Sequence, residues 1–141
     1  MISTALVTSF KTQLLQGLHN FSNPGGDTFK IALYNSSAIL GAETTAYSST
    51  NEVTGTGYTA GGTVLTTVSP TSSGTTGYVT FSDVSWPSST ITANGALIYN
   101  ASKSNAAVTV LAFGSDKSVV NGPFEIKFPV ANATSAIVRV T

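Results

Sequence analysis

The spacing of apolar residues changes once along the chain, and this change limits the folds that the chain can adopt. Between Ser3 and His19 apolar residues recur every three or four positions, which predicts an amphipathic helix within residues 1–22. From Phe29 onward apolar and polar residues alternate in short runs, as in strands that are buried on one face. One N-terminal helix followed by many short strands predicts a mainly β domain.

The predicted helix has a stripe of four apolar residues spaced four apart, namely Leu6, Phe10, Leu14 and Leu18. Ser3 or Thr4 can supply the side-chain oxygen that caps its first turn. The run Asn23-Pro24-Gly25-Gly26 stops any helix. Because a helix of this length is not stable alone in water, its stripe must be buried. The usual partner is the rest of the domain, and the alternative is a neighbouring subunit.

Seven strand candidates follow residue 62, separated by clusters of Ser, Gly, Asn and Pro. They are Val64–Val68, Tyr78–Phe81, Thr90–Ala93, Ala96–Tyr99, Ala107–Phe113, Phe124–Phe128 and Ala136–Val140. Many short strands with such turn signals indicate an antiparallel β-sandwich or a barrel-like domain. The scaling of surface with mass shows that a chain of 141 residues buries about two-thirds of its surface on folding. We therefore expect a single domain over 1–141, with the β domain at 27–141.

Three dipeptides mark expected turns or strand ends. Asn94-Gly95 lies between two alternating runs and predicts a hairpin turn, with a continuous strand carrying a glycine bulge as the alternative. Asn121-Gly122 predicts a second turn, and Pro123 after it indicates an edge strand. Trp86-Pro87 predicts the end of a strand, because proline cannot donate to the ladder.

A long polar segment at 35–62 predicts a loop. A loop of this length inside a small domain is usually functional or docked on a partner. Gly57, Gly61 and Gly62 are expected to permit turns with positive φ.

Charge and composition exclude several function classes. Six cations balance six anions, whereas a nucleic-acid binder normally has a basic excess. The absence of cysteine excludes a disulfide scaffold and a thiolate metal site, and no apolar run is long enough to cross a membrane. We therefore expect neither a nucleic-acid nor a membrane partner. Zero net charge does little to oppose association, which favours an oligomer.

The chain offers little catalytic chemistry. His19 is the one histidine, no nucleophile elbow is present, and we expect His19 at the helix end or on the surface. No two carboxylates lie within eight residues of each other; they are Asp27, Glu43, Glu52, Asp83, Asp116 and Glu125. Asp83 is expected to cap a turn. We therefore predict no enzyme and assign no catalytic, cofactor-binding or metal-binding residue.

Five aromatic residues are candidates for a carbohydrate-binding face, which needs clustered rings with polar neighbours. They are Tyr47, Tyr58, Tyr78, Trp86 and Tyr99. In a β domain most such residues fill the core or a subunit contact, and we expect that outcome here.

An ordered succession of sequence blocks resembles a family of small virion structural proteins of tailed bacteriophages. The blocks run from Glu52 to Gly62, Phe81 to Trp86, Ile91 to Asn100, Val110 to Gly114, Gly122 to Pro129 and Ala136 to Arg139, and the opening helix and the Phe29–Tyr34 strand are also similar. The chain departs from the family at Asn94, where the family often has a basic residue. This departure favours the bulged strand over the hairpin.

The resemblance implies a structural component of the phage particle, with no catalytic or metal-binding residue to carry over. Such proteins are similar to capsid decoration, or cement, proteins on the head surface, and some relatives are labelled tail fibre. We therefore expect a homo-oligomer, with a trimer favoured, that is made in the host bacterial cytoplasm and binds the phage major capsid protein. Contacts are expected on the 35–62 loop, the helix and an exposed sheet edge. The alternative is a tail-fibre or adhesion module that binds a host surface glycan.

Overall fold

The structure, a computed structural model, describes residues 1–141. Its elements in chain order are β1 (Ala5–Leu6), α1 (Thr8–Leu15), β2 (Phe29–Tyr34), β3 (Thr63–Val64), β4 (Thr67–Ser73), β5 (Thr76–Phe81), β6 (Val84–Asn100), β7 (Ala106–Ile126) and β8 (Val138–Val140). The strands form a five-stranded sheet in the order β1-β7-β6-β2-β3 and a three-stranded sheet in the order β4-β5-β8. All pairings within the two sheets are antiparallel. The prediction of a mainly β, sandwich-like fold with one N-terminal helix is confirmed.

Aromatic side chains from both sheets meet in the core. The rings of Phe29 on β2 and Phe81 on β5 lie 5.8 Å apart, and Phe21 stacks on Phe29 at 4.4 Å. All three are buried, and burying a side chain of this size stabilises a fold by about 1.5–3 kcal/mol. The alternating pattern predicted the strand β2 correctly, but the expectation that only one of its faces is buried is wrong, since Ala32 and Tyr34 on the second face are buried too. The segment that follows β2 covers this face, where the Tyr34 hydroxyl donates to the Ser48 oxygen.

The N-terminal helix is shorter than predicted. Residues before it are extended, since Ile2 bridges Leu40 and β1 pairs with β7. The N-cap residue is Val7, without a side-chain cap, so the prediction of Ser3 or Thr4 at this position is wrong. The helix ends before Gly17, whose φ of 72° is typical of a residue that follows a helix. No helix in the structure has the length and hydrophobicity needed to cross a membrane.

The predicted hairpin at Asn94-Gly95 is wrong, because both residues lie inside the continuous strand β6. Gly95 pairs with Tyr34 on one side and Ala112 on the other, and the register shifts between Ala93 and Gly95. A Cβ at Gly95 would lie 2.7 Å from the Ile2 side chain and from the Leu111 carbonyl oxygen. The alternative of a glycine bulge is therefore confirmed, and the chain turns instead at residues 101–105.

The other two expected interruptions also lie inside strands. Trp86 pairs with Phe124 within the β6–β7 ladder, so Trp86-Pro87 does not end a strand. Asn121-Gly122 is part of β7, where Asn121 has a φ of 49° and the register shifts. Pro87 and the positive φ of Asn121 therefore cause local irregularities in a long ladder and do not reverse the chain. Pro123 lies where β7 has a strand partner on one side only, as its edge signal indicated.

Candidate interaction surface

The segment between β2 and β3, residues 35–62, is docked along the five-stranded sheet. It contains no strand. Three isolated β-bridges connect it to the sheet, and they pair Glu52, Ala46 and Thr56 of the segment with Tyr34, Ala106 and Thr90 of the strands, respectively. Backbone hydrogen bonds add to these, including Val53 N–H to the Leu33 oxygen at 2.9 Å. The 35–62 loop is therefore attached to β2, β6 and β7 and does not project freely.

Glu52 is the centre that fixes this loop. The residue is 7% exposed, and its carboxylate accepts hydrogen bonds from the Tyr47 hydroxyl at 2.6 Å, the Tyr58 hydroxyl at 2.6 Å and the Gly61 N–H at 2.7 Å. A buried charge is costly unless hydrogen bonds replace its hydration, and bonds to an ionised acceptor are the strong ones. Three donors from the same loop thus converge on one carboxylate.

Four tyrosines surround Glu52 and are called the tyrosine cluster: Tyr34, Tyr47, Tyr58 and Tyr99. The Tyr58 hydroxyl also accepts the Leu33 N–H at 2.9 Å, which joins the loop to β2. The Tyr34 and Tyr99 hydroxyls donate to the oxygens of Ser48 and Gly61. Burial, with the nearby charge of Glu52, raises the pKa of each of the four phenols, so they remain protonated donors at an alkaline pH at which a solvated phenol ionises.

Glycines let the loop backbone lie directly against the strands. Gly57, Gly61 and Gly62 have φ values of 82°, 94° and 75°, which confirms the expected positive φ at these positions. A Cβ at Gly62 would overlap the Ile31 carbonyl oxygen, and one at Gly57 would overlap the Ser88 carbonyl oxygen. A side chain at either position would push the loop off the sheet.

The outer face of the 35–62 loop is almost uncharged. Glu43 is its one exposed charged residue, and the other exposed side chains are mainly Ser, Thr and Ala. Ile39 is the large apolar exception, at 87% exposed. Such a surface has few charges to desolvate when it is covered by a partner.

A second exposed feature is the outer part of β7. From Phe113 to Ile126 this strand is paired with β6 but has no strand on its other side. Its side chains line a groove of about 550 Å³, here called the β7 groove. The lining residues are Leu111, Phe113, Lys117, Ser118, Val119, Pro123, Phe124, Glu125, Ile126 and Lys127. The Phe113 and Phe124 rings are 6.3 Å apart in it. This part of β7 is one exposed sheet edge of the domain, and β4 and β8 are edge strands of the smaller sheet.

His19 does not occupy the surface or helix-end position predicted for it. It lies four residues beyond α1 and is 7% exposed, with Nε2 2.8 Å from the Gln13 Oε1 and Nδ1 3.0 Å from the Asn100 Nδ2. The prediction is therefore wrong, because packing against Phe10, rather than the helix terminus, sets the position of the ring.

The carboxylates remain dispersed in the folded chain. No group of three or more His, Cys, Asp or Glu residues is arranged to hold a metal ion. Asp83 accepts the Phe128 N–H at 2.8 Å, so its carboxylate joins two segments that are distant in sequence, and the expectation that it caps a turn is wrong. Sequence spacing did not reveal the environment of Glu52, although its three donors lie in the same loop, because nothing in the local pattern shows that the loop folds back on itself and buries the carboxylate.

The five aromatic candidates for a sugar-binding face are mostly internal. Trp86 and Tyr99 are buried, and Tyr47 and Tyr58 turn their hydroxyls toward Glu52. Tyr78 lies apart from them on β5, in the other sheet. The expectation that most of these rings fill the core is confirmed.

Comparison of the chain with protein-family models, with curated proteins and with solved structures found no match.

Proposed function

We propose that this chain is a non-enzymatic structural protein of a bacteriophage particle and acts as a capsid decoration protein. In this proposal it binds the outside of the head as a homo-oligomer, with a trimer favoured, and bridges neighbouring major capsid protein subunits. The observation that carries the proposal is the 35–62 loop, which is ordered by Glu52 yet presents a nearly uncharged outer face. The resemblance of the sequence blocks to phage virion proteins supports the same function.

A loop that is already ordered suits a binding role. Immobilising a flexible loop on association costs free energy. Because the Glu52 hydrogen bonds already order this loop in the free protein, binding does not have to order it. Because the outer face has one exposed carboxylate, Glu43, covering it requires little desolvation of charge. Modest contacts are then sufficient, since an oligomer bound at several points acts at a high effective concentration.

The free edge of β7 offers a second contact of a different kind. Unpaired strand edges bind extended segments of other chains through main-chain hydrogen bonds, and adjacent pockets take their side chains. The β7 groove provides such a pocket beside the edge. Two separate surfaces on one subunit are what a bridging protein requires.

Reconstruction of the particle that carries this chain tests the proposal directly. We expect hundreds of copies on the head surface, with the 35–62 loop at the contact with the capsid, and mass spectrometry should give a matching copy number. A handful of copies at the tail would overturn the decoration role.

A binding assay on heads that lack the protein tests the loop itself. Ile39→Asp places a charge on the outer face without entering the core, because Ile39 is 87% exposed. We expect this variant to bind heads at least tenfold more weakly. Val130→Asp is the matched control, since Val130 is 74% exposed and lies outside the loop and the β7 groove. Equal binding by the two variants would show that the loop is not the contact.

The second candidate function is a tail-fibre or adhesion module that binds a host surface glycan. The observation that favours it is the β7 groove, where Phe113 and Phe124 lie beside Lys117 and Glu125. It requires a low copy number at the tail and measurable glycan binding that Phe113→Ala abolishes. Glycan binding that is unaffected by this substitution would exclude the groove as the site.

A further inference from the structure

His19 is enclosed by aromatic rings and has both ring nitrogens engaged. The ring centroids of Phe10, Phe21 and Phe29 lie 4.8, 6.5 and 6.4 Å from that of His19. Gln13 is the partner of Nε2 and Asn100 is the partner of Nδ1. The imidazole thus connects α1 to the end of β6.

The partners of Asn100 determine which ring nitrogen carries the proton. Its Oδ1 accepts the Ser102 N–H at 3.0 Å, which orients the amide. Its Nδ2 donates to the Asp27 Oδ2 at 2.8 Å and to the His19 Nδ1 at 3.0 Å, so both amide hydrogens are used. Nδ1 must therefore be the acceptor, and the proton lies on Nε2, which donates to Gln13.

A second proton does not fit this arrangement. Protonating Nδ1 would point an N–H at the N–H of Asn100 and would place a cation among three phenyl rings. Reversing the amide would turn its oxygen toward the Asp27 carboxylate and away from the Ser102 N–H. The neutral ring is the form that the fold accommodates.

The charged groups near the ring are Asp27 and Lys103, which are 3.6 Å apart. The remaining neighbours are uncharged: Phe10 and Gln13 from α1, Phe21 from the following segment, Phe29 from β2 and Asn100 from β6. Burial lowers the pKa of His19, the Asp27 charge opposes this, and the Lys103 charge adds to it.

We propose that His19 is a pH-sensitive latch that holds the segment of residues 8–22 against the sheet and releases it on protonation. Release exposes the buried rings of Phe10 and Phe21. The inference does not depend on the capsid role, because it rests on the contacts of His19 within one chain.

The sign of the pH dependence follows from linkage. Above about pH 6.5 the ring is neutral in both closed and open forms, so the latch is fully effective. Below that pH the open form takes up a proton that the closed form does not. The population with residues 8–22 released should therefore rise about tenfold for each pH unit, until the pH falls below the lowered pKa of the closed form.

Nuclear magnetic resonance provides the test, because the chain has one histidine and its imidazole signals need no assignment. We expect nitrogen shifts of the Nε2–H tautomer at pH 7.5. Hydrogen-exchange protection of the α1 amides should fall at lower pH, after correction for intrinsic rates, while that of the β6 and β7 amides should not. The Nδ1–H tautomer, or α1 protection that does not depend on pH, would overturn the latch.

Two variants separate the latch from a structural role. In His19→Asn the side-chain oxygen can still accept from Asn100 but does not titrate, so α1 protection should lose its pH dependence. Lys103→Gln leaves the ring contacts intact and removes a cation that lowers the pKa of His19 in the closed form, so the closed form should accept the proton more readily and the midpoint of the α1 transition should move to lower pH. An unchanged midpoint in Lys103→Gln would contradict the proposal even if His19→Asn fails to fold.

Discussion

Replacing Glu52 by glutamine tests the idea that one buried carboxylate orders the 35–62 loop. The substitution keeps the size of the side chain, so it leaves no cavity. At Oε1 the bonds from the Tyr58 hydroxyl and the Gly61 N–H lose their ionic component. At Oε2 an amide nitrogen replaces the acceptor, and the Tyr47 hydroxyl must turn to accept from it.

The expected cost follows from the two bonds at Oε1. A hydrogen bond to a charged group contributes about 1.5–3 kcal/mol and a neutral one about 1 kcal/mol, so each loses about 1 kcal/mol. We therefore expect the free energy of unfolding of Glu52→Gln to fall by about 2 kcal/mol. In a chain of this size that corresponds to a decrease in Tm of about 6 °C.

Chemical denaturation at neutral pH measures this difference, with Glu43→Gln as the control. Glu43 lies in the same loop but is exposed and has no hydrogen-bonding partner, so the control should change stability by less than about 0.5 kcal/mol. If Glu52→Gln proves as stable as this control, the desolvation of the buried charge outweighs its hydrogen bonds and the reasoning is refuted.

Three further predictions concern the same loop and its surface. Spectrophotometric titration should show that the tyrosine cluster stays protonated above pH 10 in the folded protein. Because the phenols of the unfolded chain ionise near pH 10 and those of the folded chain do not, the free energy of unfolding should fall as the pH rises above 10. Ionisation of all five tyrosines near pH 10 in the folded protein would contradict this. Gly62→Ala should prevent stable docking of the loop, because its Cβ would overlap the Ile31 carbonyl oxygen. Gly74→Ala is the control, since Gly74 also has a positive φ but open space around it, and denaturation should show a loss of only about 1–2 kcal/mol in its free energy of unfolding. Equal losses in the two variants would show that the close approach is unimportant. Retention on purified heads should change little in moderate salt, as measured by co-sedimentation, and release by salt would mean that charge pairs hold the protein there.

Local pattern was sufficient where neighbouring residues settle the conformation. The alternating apolar residues of Phe29–Tyr34 predicted β2, and the polar segment after it predicted a loop. The glycines at positions 57, 61 and 62 predicted positive φ, because the lack of a side chain acts on its own backbone. Fold class and the turn glycines were therefore available from the sequence.

Local pattern failed where a partner distant in sequence competes for the same residues. Asn94-Gly95 favours a hairpin in isolation, but β2 and β7 pair with it from both sides and keep it extended. Leu6 belongs to the helical stripe by spacing, yet its backbone pairs with Thr109 on β7. In both cases ladder hydrogen bonds to other strands outweigh the local preference of a few residues.

The sequence by itself determined a neutral, cysteine-free β domain with one amphipathic helix, because composition and apolar periodicity are properties of the chain alone. The tertiary structure decided the two polar centres, in which Glu52 gathers tyrosines and His19 meets Asn100. A carboxylate or an imidazole carries no local signal of its environment. Whether it becomes a solvated surface group or a buried hydrogen-bonding centre depends on how the fold closes around it. The donors to Glu52 come from its own loop, which is packed against the sheet, whereas Asn100 reaches His19 from a strand that is distant in sequence.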